Sequence, residues 1–305
     1  MIRTEKLTRT FGEVVAVKGL TFEVKEGEVF GFIGPNGAGK TTTARMLCCL
    51  INPSYGTAFV KGNEIGKDPD ALNIRQIVGL LPEAPGLYER LSSYKNLDFF
   101  AQLYDVPTVK RRERIKKLLE MLGMWKRRDD SVNTFSKGMK QKIAISRALV
   151  HDPEILFLDE PTAGLDPRAA KTVRDFLFEL KQEGRTIFLN THNLDEAERL
   201  CDRVGIINTT LVEIGSPREL KSKFWDRTTV VHLKEVSSLI VDAVKALPFA
   251  QNVRTEDNKI LIDLKHPEDE NSAVADAIIR SGGKIQFISE LEHTLEEVYL
   301  ELVGG

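Results

Sequence analysis

Residues 34–41 read Gly34-Pro35-Asn36-Gly37-Ala38-Gly39-Lys40-Thr41, a glycine-rich stretch that fits the pattern G-x-x-x-x-G-K-[ST]. It follows an apolar run typical of a strand, Val29–Ile33, and precedes a helical pattern from Thr41 to Leu50. This order favours a phosphate site, because the loop's N–H groups and the positive end of the helix dipole both face an anion. We expect Lys40 to reach the β- and γ-phosphates of a nucleotide and Thr41 to ligate Mg²⁺. Thr42 is expected to bind the nucleotide together with the loop residues 34–41. A plain turn would explain the glycines but not the lysine and the hydroxyl.

A second polar pair lies at the end of another apolar run. The run Ile155–Leu158 predicts a strand buried on both faces, and Asp159 and Glu160 follow it directly. Ligands of parallel sheets bind at the carboxyl ends of strands. We expect Asp159 to hold Mg²⁺ through water, and Glu160 to orient the water that attacks the terminal phosphate. Such a pair alone is more often a solvated strand end, and the lysine loop is what favours the catalytic interpretation.

The composition is that of an ordinary globular protein. The 305 residues are 42% hydrophobic and 29% charged, with 45 acidic and 43 basic side chains, so no charge excess points to nucleic acid. Cys48, Cys49 and Cys201 have neither metal nor disulfide spacing, which predicts buried thiols in a reducing cytoplasm. No apolar run approaches the roughly 18 to 20 residues of a membrane helix, and the N-terminus lacks the apolar core of a signal peptide. We therefore expect a chain that does not itself span a membrane.

The pattern of elements predicts two domains. Residues 88–150 are mainly helical in pattern, and the candidate helices are Asn96–Tyr104, Val109–Leu122 and Lys137–Val150. Strand patterns return at 155–158 and 186–189, with a helix between them from Pro167. After about residue 225 a small α+β domain is predicted, with elements Thr228–Leu233, Val236–Leu247, Lys259–Leu264, Asn271–Arg280 and Lys284–Ile288.

A third stretch, upstream of Asp159, reads Phe135-Ser136-Lys137-Gly138-Met139-Lys140-Gln141. It resembles the signature motif that defines ABC (ATP-binding cassette) ATPases. The resemblance implies an α/β fold, a P-loop NTPase of the ABC cassette type over residues 1–225, in which a mixed sheet carries a helical subdomain at about 88–150. The small C-terminal α+β domain over 228–305 resembles that of single-cassette subunits of drug, antibiotic, sodium or polysaccharide exporters.

The resemblance also implies roles around the nucleotide, ATP. Ser136 and Gly138 would contact the γ-phosphate of ATP held by a second chain, and Phe11 would stack on adenine. Asp166 would be the D-loop aspartate, and His192 the switch histidine that hydrogen-bonds the γ-phosphate. Each assignment has a plainer alternative, such as Ser136 as a helix N-cap, Phe11 as a core residue and His192 as a structural histidine.

Three positions depart from the family pattern. Lys137 and Met139 stand where the family commonly has glycine and glutamine, although Ser136 and Gly138 remain. Glu83 replaces the usual glutamine of the Q-loop. We expect Glu83 to ligate Mg²⁺ more strongly than an amide would, and to add negative charge near the γ-phosphate.

The function that the resemblance implies is ATP hydrolysis coupled to transport, in the direction of export. The chain would act as a homodimer, or with a paired cassette subunit, on the cytoplasmic face of the cell membrane. There it would be peripheral, beneath a separate integral membrane permease seated near Glu83 and the helical insertion. A non-hydrolysing module would lack Lys40, Glu160 or His192, and the sequence has all three.

The alternative function is that of a soluble ABC ATPase acting on DNA or the ribosome. It predicts a long coiled-coil insertion, tandem cassettes or a basic stripe. The sequence has none of these patterns, so nucleic acid is not expected as a partner.

Two surface patterns keep alternatives open. The pattern 294–302 places four apolar residues on one helical face, which suits packing on its own domain as well as a dimer contact. The basic runs 110–117 and 126–128 suit a solvated helical face or an approach to anionic lipid headgroups.

Overall fold

Three sheets organise the chain, of which the computed structural model describes residues 1–303. The chain divides into two compact units, Met1–Pro217 and the residues from Arg218 onward. The first unit contains, in chain order, β1 (Ile2–Phe11), β2 (Val14–Val24), β3 (Val29–Ile33), α1 (Lys40–Leu47), β4 (Tyr55–Val60), β5 (Asn63–Glu64), α2 (Asp70–Ile77), β6 (Val78–Leu81), α3 (Ser93–Leu103), α4 (Thr108–Met121), α5 (Lys137–Leu149), β7 (Ile155–Asp159), α6 (Pro167–Gln182), β8 (Thr186–Thr191), α7 (Leu194–Leu200), β9 (Arg203–Asn208) and β10 (Thr210–Gly215). Helix α8 (Pro217–Ser222) begins at the boundary between the units.

The central sheet of the first unit brings three strand ends to one edge. Its order is β10-β9-β3-β8-β7-β6, with β9, β3, β8, β7 and β6 parallel and β10 antiparallel to β9. Strands β3, β7 and β8 are buried along their whole length, as their unbroken apolar runs predict. The register pairs Ile33 with Thr191 and Asp159 with Asn190, so the glycine loop, the carboxylate pair and residue 192 all follow the same edge. This mixed sheet confirms the predicted α/β class.

A second sheet covers one face of the core. Its strands are antiparallel in the order β2-β1-β4-β5, and its apolar side chains form one cluster with α1 and the central sheet. Phe22 from this sheet lies 5.5 Å, between ring centroids, from both Phe30 and Phe32, and Phe188 lies 5.3 Å from Phe157. Fully burying each such ring contributes about 2 to 3 kcal/mol, so this aromatic cluster holds the strand ends that carry the site.

The helical insertion between β6 and β7 contains α3, α4 and α5. Helix α3 begins at Ser93, earlier than the predicted Asn96, because the Ser92 side chain accepts a hydrogen bond from the Lys95 N–H and caps the helix there. Helix α5 begins at Lys137, as predicted, after the capping residue Ser136. Two short 3₁₀ turns, Trp125–Arg127 and Val132–Thr134, connect α4 to α5.

The second unit is a four-stranded antiparallel sheet with two helices on one face. Its elements are β11 (Thr228–Leu233), α9 (Ser238–Lys245), β12 (Gln251–Glu256), β13 (Lys259–Asp263), α10 (Pro267–Arg280), β14 (Ile285–Glu290) and α11 (Leu295–Val303). The strand order is β12-β13-β11-β14, and its core joins the inner faces of β11 and β13 to α9 and α10. Strand β12 was not predicted, because its side chains are mostly exposed and carry no apolar alternation.

Candidate functional site

The glycine loop follows β3 and ends at the first residue of α1. Gly39 has a φ of 101° and lies against the Ala16 carbonyl and the Val17 side chain, where a Cβ would collide. No side chain caps α1, so the first turn of this helix directs its backbone N–H groups into the loop without an acceptor from the cap residue. The backbone therefore presents donors at the positive end of a helix dipole.

Lys40 is the buried charge of the loop. Its side chain is only 7% exposed, and its ammonium donates to the Gly34 carbonyl at 2.6 Å and to the Pro35 carbonyl at 3.1 Å. The same ammonium lies 4.0 Å from Glu160 Oε1. Burial lowers the pKa of Lys40, and the negative charges of Glu160, Asp159 and Glu83 oppose that shift. Lys40 is thus a desolvated cation whose nearest charges are the predicted carboxylates.

The hydroxyl of Thr41 joins α1 to the end of β7. Thr41 Oγ1 donates to Asp159 Oδ2 at 2.7 Å, and the Asn190 amide nitrogen donates to Asp159 Oδ1 at 3.2 Å. The side-chain oxygen of Asn190 is buried and has no hydrogen-bond partner among the described residues. The structure therefore brings together the hydroxyl and the carboxylate predicted to hold a metal ion. Hard oxygen donors of this kind fit Mg²⁺.

Glu160 is held in an uncommon backbone conformation. Its φ is 51°, in the left-handed region, which costs a non-glycine residue about 1 to 3 kcal/mol. Its N–H donates to the Asn190 carbonyl at 2.9 Å. Glu160 Oε2 lies 2.8 Å from His192 Nδ1, and Glu160 is 13% exposed while His192 is 59% exposed. The conformation directs a mostly buried carboxylate towards Lys40 on one side and His192 on the other.

These groups share one cavity of about 360 Å³. It is lined by residues 35–42 of the loop, together with Glu83, Asp159 and Glu160. The predicted site residues that do not line it are Phe11, Gly34, Ser136, Gly138, Asp166 and His192. Of these, Gly34 contacts a lining residue, because its carbonyl accepts a hydrogen bond from Lys40.

Ser136 and Gly138 of the signature stretch form a second group together with Asp166, at the starts of α5 and α6. Ser136 caps α5 by accepting a hydrogen bond from the Met139 N–H at 3.3 Å. Asp166 caps α6 by accepting from the N–H groups of Arg168 at 3.0 Å and Ala169 at 3.1 Å. Gly138 has no room for a side chain, because a Cβ would lie 2.7 Å from Ala169 Cβ. The two helix starts therefore pack closely against each other.

Phe11 lies at the end of β1 and is 47% exposed. Its backbone pairs with Val14, and the Arg9 guanidinium lies 4.5 Å from the centroid of its ring. Its exposure excludes the alternative that Phe11 is a core residue.

Comparison with known proteins identifies the family. The chain matches the family described as ABC transporter over residues 17–163, and the family described as ATP-binding protein DrrA1-3-like, C-terminal domain, over residues 215–303. It is 32% identical over 309 residues to the linearmycin resistance ATP-binding protein LnrL of Bacillus subtilis strain 168, covering 100% of this chain and 98% of that protein. The chain belongs to the ABC transporter family of ATP-binding proteins.

Two further similarities of this ABC protein are to a curated sequence and to a solved structure. The Nod factor export ATP-binding protein I of Cupriavidus metallidurans is 32% identical over 306 residues, covering 100% of this chain and 97% of that protein. A solved ATP-binding cassette, described as the dimer of a post-hydrolysis state bound to ADP and Pi, has a TM-score of 0.64 and 25% identity. That likeness covers 71% of this chain and 98% of the solved one. In the described part of this ABC chain, no helix is long and apolar enough to cross a membrane.

Two residues that were not predicted from the sequence, Asn190 and Gln141, hydrogen-bond to Asp159 and to Pro161 in this ABC chain. Asn190 follows the apolar run of β8 at the same level as Asp159, and an amide at a strand end was a signal that could have been used. Gln141 on α5 donates through Nε2 to the Pro161 carbonyl at 2.8 Å and is buried. Gln141 ends the signature stretch, but nothing in that stretch shows that its amide reaches the carbonyl of Pro161, 20 positions away.

Proposed function

We propose that this chain is the ATP-hydrolysing subunit of an ABC exporter, and that two cassette subunits together build each complete ATP site. The observation that carries the proposal is the cavity in which the glycine loop, Lys40, Thr41, Asp159 and Glu160 meet. A buried cation, a helix start without a side-chain cap and two carboxylates suit a magnesium-bound polyphosphate.

The roles of the residues follow from their positions. Loop N–H groups and Lys40 bind the phosphates, and Lys40 exchanges its bonds with loop carbonyls for phosphate oxygens. Thr41, Asp159 and Glu83 would hold Mg²⁺, which would neutralise charge on the phosphate oxygens. Glu160 orients and polarises the attacking water, and His192, 2.8 Å from Glu160, hydrogen-bonds the γ-phosphate. Phe11 offers an exposed aromatic face for adenine.

The dimer explains the second group of residues. Ser136, Gly138 and Asp166 lie outside the cavity of their own chain, at the starts of α5 and α6. The start of α5 carries the positive end of a helix dipole, which favours an anion, whereas the start of α6 is already occupied by the Asp166 carboxylate. In a head-to-tail pair the start of α5 reaches the γ-phosphate held by the opposite loop. The similar cassette that was solved as a dimer with ADP and Pi supports this arrangement.

The transport function adds a membrane permease as partner. Downstream of Glu83, Tyr88 and Phe99 are 49% and 38% exposed, and their rings meet edge to face with centroids 5.1 Å apart. Arg147 packs its guanidinium 5.0 Å from the Phe100 ring beside them. Exposed aromatic side chains of this kind mark protein contact surfaces. We place the permease here, which puts the chain on the cytoplasmic face of the membrane, and the relatives' names, which refer to drug resistance and export, support export.

The test is dimerisation of the Glu160→Gln protein, followed by light scattering with Mg-ATP. Without hydrolysis the closed pair accumulates, so the expected result is an ATP-dependent dimer with lost ATPase activity. The exposed Glu179→Gln change on α6 is the matched control and leaves both properties as in wild type. A Glu160→Gln protein that stays monomeric with bound ATP contradicts the two-chain site.

A further inference from the structure

The loop that carries Glu160 depends on contacts from outside itself. Glu160 has a φ of 51°, and the next residue, Pro161, has no N–H with which to anchor the turn. Within the turn, the Ala163 N–H donates to the Glu160 carbonyl at 3.2 Å. The Pro161 carbonyl is therefore the one backbone group of that residue that a neighbour can hold.

The neighbour that holds it is Gln141. Gln141 Nε2 donates to the Pro161 carbonyl at 2.8 Å, and the side chain is 6% exposed. Gly138 lies one turn earlier on the same face of α5 and packs on Ala169, so this face contacts both ends of the segment 161–169. A buried amide aimed at the peptide after Glu160 fixes the position of that peptide relative to α5.

Helix α5 also begins at Ser136, the residue proposed above to meet the nucleotide of the opposite chain. A helix of this length moves as a rigid element, so a shift at its start is shared by Gln141. We propose that Gln141 is a positioning residue, which ties α5 to the peptide after Glu160 so that engagement of Ser136 by the opposite nucleotide orients the Glu160 carboxylate. This inference rests on the proposed two-chain ATP site.

The test replaces Gln141 with methionine, which keeps the length of the side chain and removes its donor. We expect kcat for ATP hydrolysis to fall by about 10- to 100-fold, because the attacking water is no longer aligned. The ATP affinity of the single chain, the KM and the ATP-dependent dimerisation of a Gln141→Met, Glu160→Gln double variant stay within about twofold of their references. The exposed Gln182→Met change at the end of α6 is the matched control and keeps the wild-type kcat.

A merely structural role predicts a different result. In that case Gln141→Met lowers ATP affinity and dimerisation together with kcat, and this outcome overturns the proposal, as does an unchanged kcat. The residual rate of Glu160→Gln gives a second readout, because adding Gln141→Met lowers it no further if Gln141 acts through Glu160.

Gln141→Asn covers the case in which the methionine variant does not fold. It keeps the amide but shortens the side chain by one methylene, so the bond to the Pro161 carbonyl is weakened and a kcat below that of wild type is expected. Wild-type turnover in folded Gln141→Asn contradicts the proposal. If the unmodified chain neither hydrolyses ATP nor dimerises, the proposed function itself fails, whereas a normal wild type with a fully active Gln141→Met overturns this inference alone.

Discussion

The N-termini of α1 and α5 differ in their capping and in the burial of their first lysine. Helix α1 has glycine at its cap and no side-chain cap, and its first residue, Lys40, is buried beside carboxylates. Helix α5 is capped by its own Ser136 side chain, and its first residue, Lys137, is exposed. Helix α1 is therefore suited to take its hydrogen-bond acceptor from a ligand inside the cavity. Helix α5 is complete as a structure and presents an open surface, which suits a contact with a second chain.

The largest loss of ATPase activity is expected from a change at Lys40, at the buried N-terminus of α1. Lys40→Met removes the cation that faces the phosphates, so kcat/KM for ATP hydrolysis should fall by about 10²- to 10³-fold. Steady-state phosphate release measures the change, with Lys116→Met, a side chain 56% exposed on α4, as the control that keeps wild-type activity. A Lys40→Met protein with near-normal activity would mean that the loop is structural.

The proposed role of the α5 N-terminus is tested by Ser136→Asp. Aspartate is as good an N-cap as serine, so α5 keeps its cap, but its charge repels the γ-phosphate of the opposite nucleotide. We expect turnover to fall by about 10- to 100-fold while ATP binding to the single chain is unchanged. The same change at Ser92, the cap of α3, is the matched control and leaves turnover intact. If Ser136 is only an N-cap, the two variants behave alike.

The smallest effect is expected at His151, a half-buried histidine outside both sites. His151 follows α5, its ring stacks on Tyr104, and its Nε2 donates to the Val78 carbonyl at 3.0 Å. Its Nδ1 is buried without a partner among the described residues, and burial lowers the pKa of His151 from 6.5 to about 4. Between those values the unfolded chain binds more protons than the folded one, so stability is present above pH 6.5 and is lost as the pH falls towards 4.

The expected loss from His151 is about 2 kcal/mol of unfolding free energy between pH 7.5 and pH 5. His151→Phe keeps a ring beside Tyr104 and does not titrate, so its loss over the same interval should be smaller by that amount. Urea unfolding at both pH values measures it, and the exposed His266→Phe serves as control. Equal losses in wild type and His151→Phe would show that His151 is protonated in the folded chain.

The residues around the N-terminus of α1 could be predicted from the sequence because they lie in two short continuous segments. The glycine loop, Lys40 and Thr41 are consecutive, and Asp159 and Glu160 end a strand whose apolar run marks its burial. The contacts of Asn190 and Gln141 could not be predicted in the same way. Asn190 bonds a side chain 31 positions away, and Gln141 bonds a carbonyl 20 positions away, so only the folded arrangement of strand and helix brings each pair together.

In the second unit, the bounds of one strand were predicted correctly and the start of one helix was not. Strand Thr228–Leu233 was predicted at its observed bounds, since its apolar β-branched residues are buried in the sheet. Helix α10 begins at Pro267, before the predicted Asn271. Proline at the first turn and three acidic residues after it are start signals, but they precede the apolar periodicity on which the prediction relied.

That one ATP site needs two chains is tested most directly by mixing two variants of low activity. Lys40→Met has a defective loop and an intact α5 start, and Ser136→Asp has the reverse. In a mixed dimer one site combines the two intact halves. We expect equal amounts to restore about one quarter of wild-type ATPase activity, because half of the pairs are mixed and each mixed pair holds one complete site of two. Activity no greater than the sum of the separate proteins, with both variants folded, would contradict it.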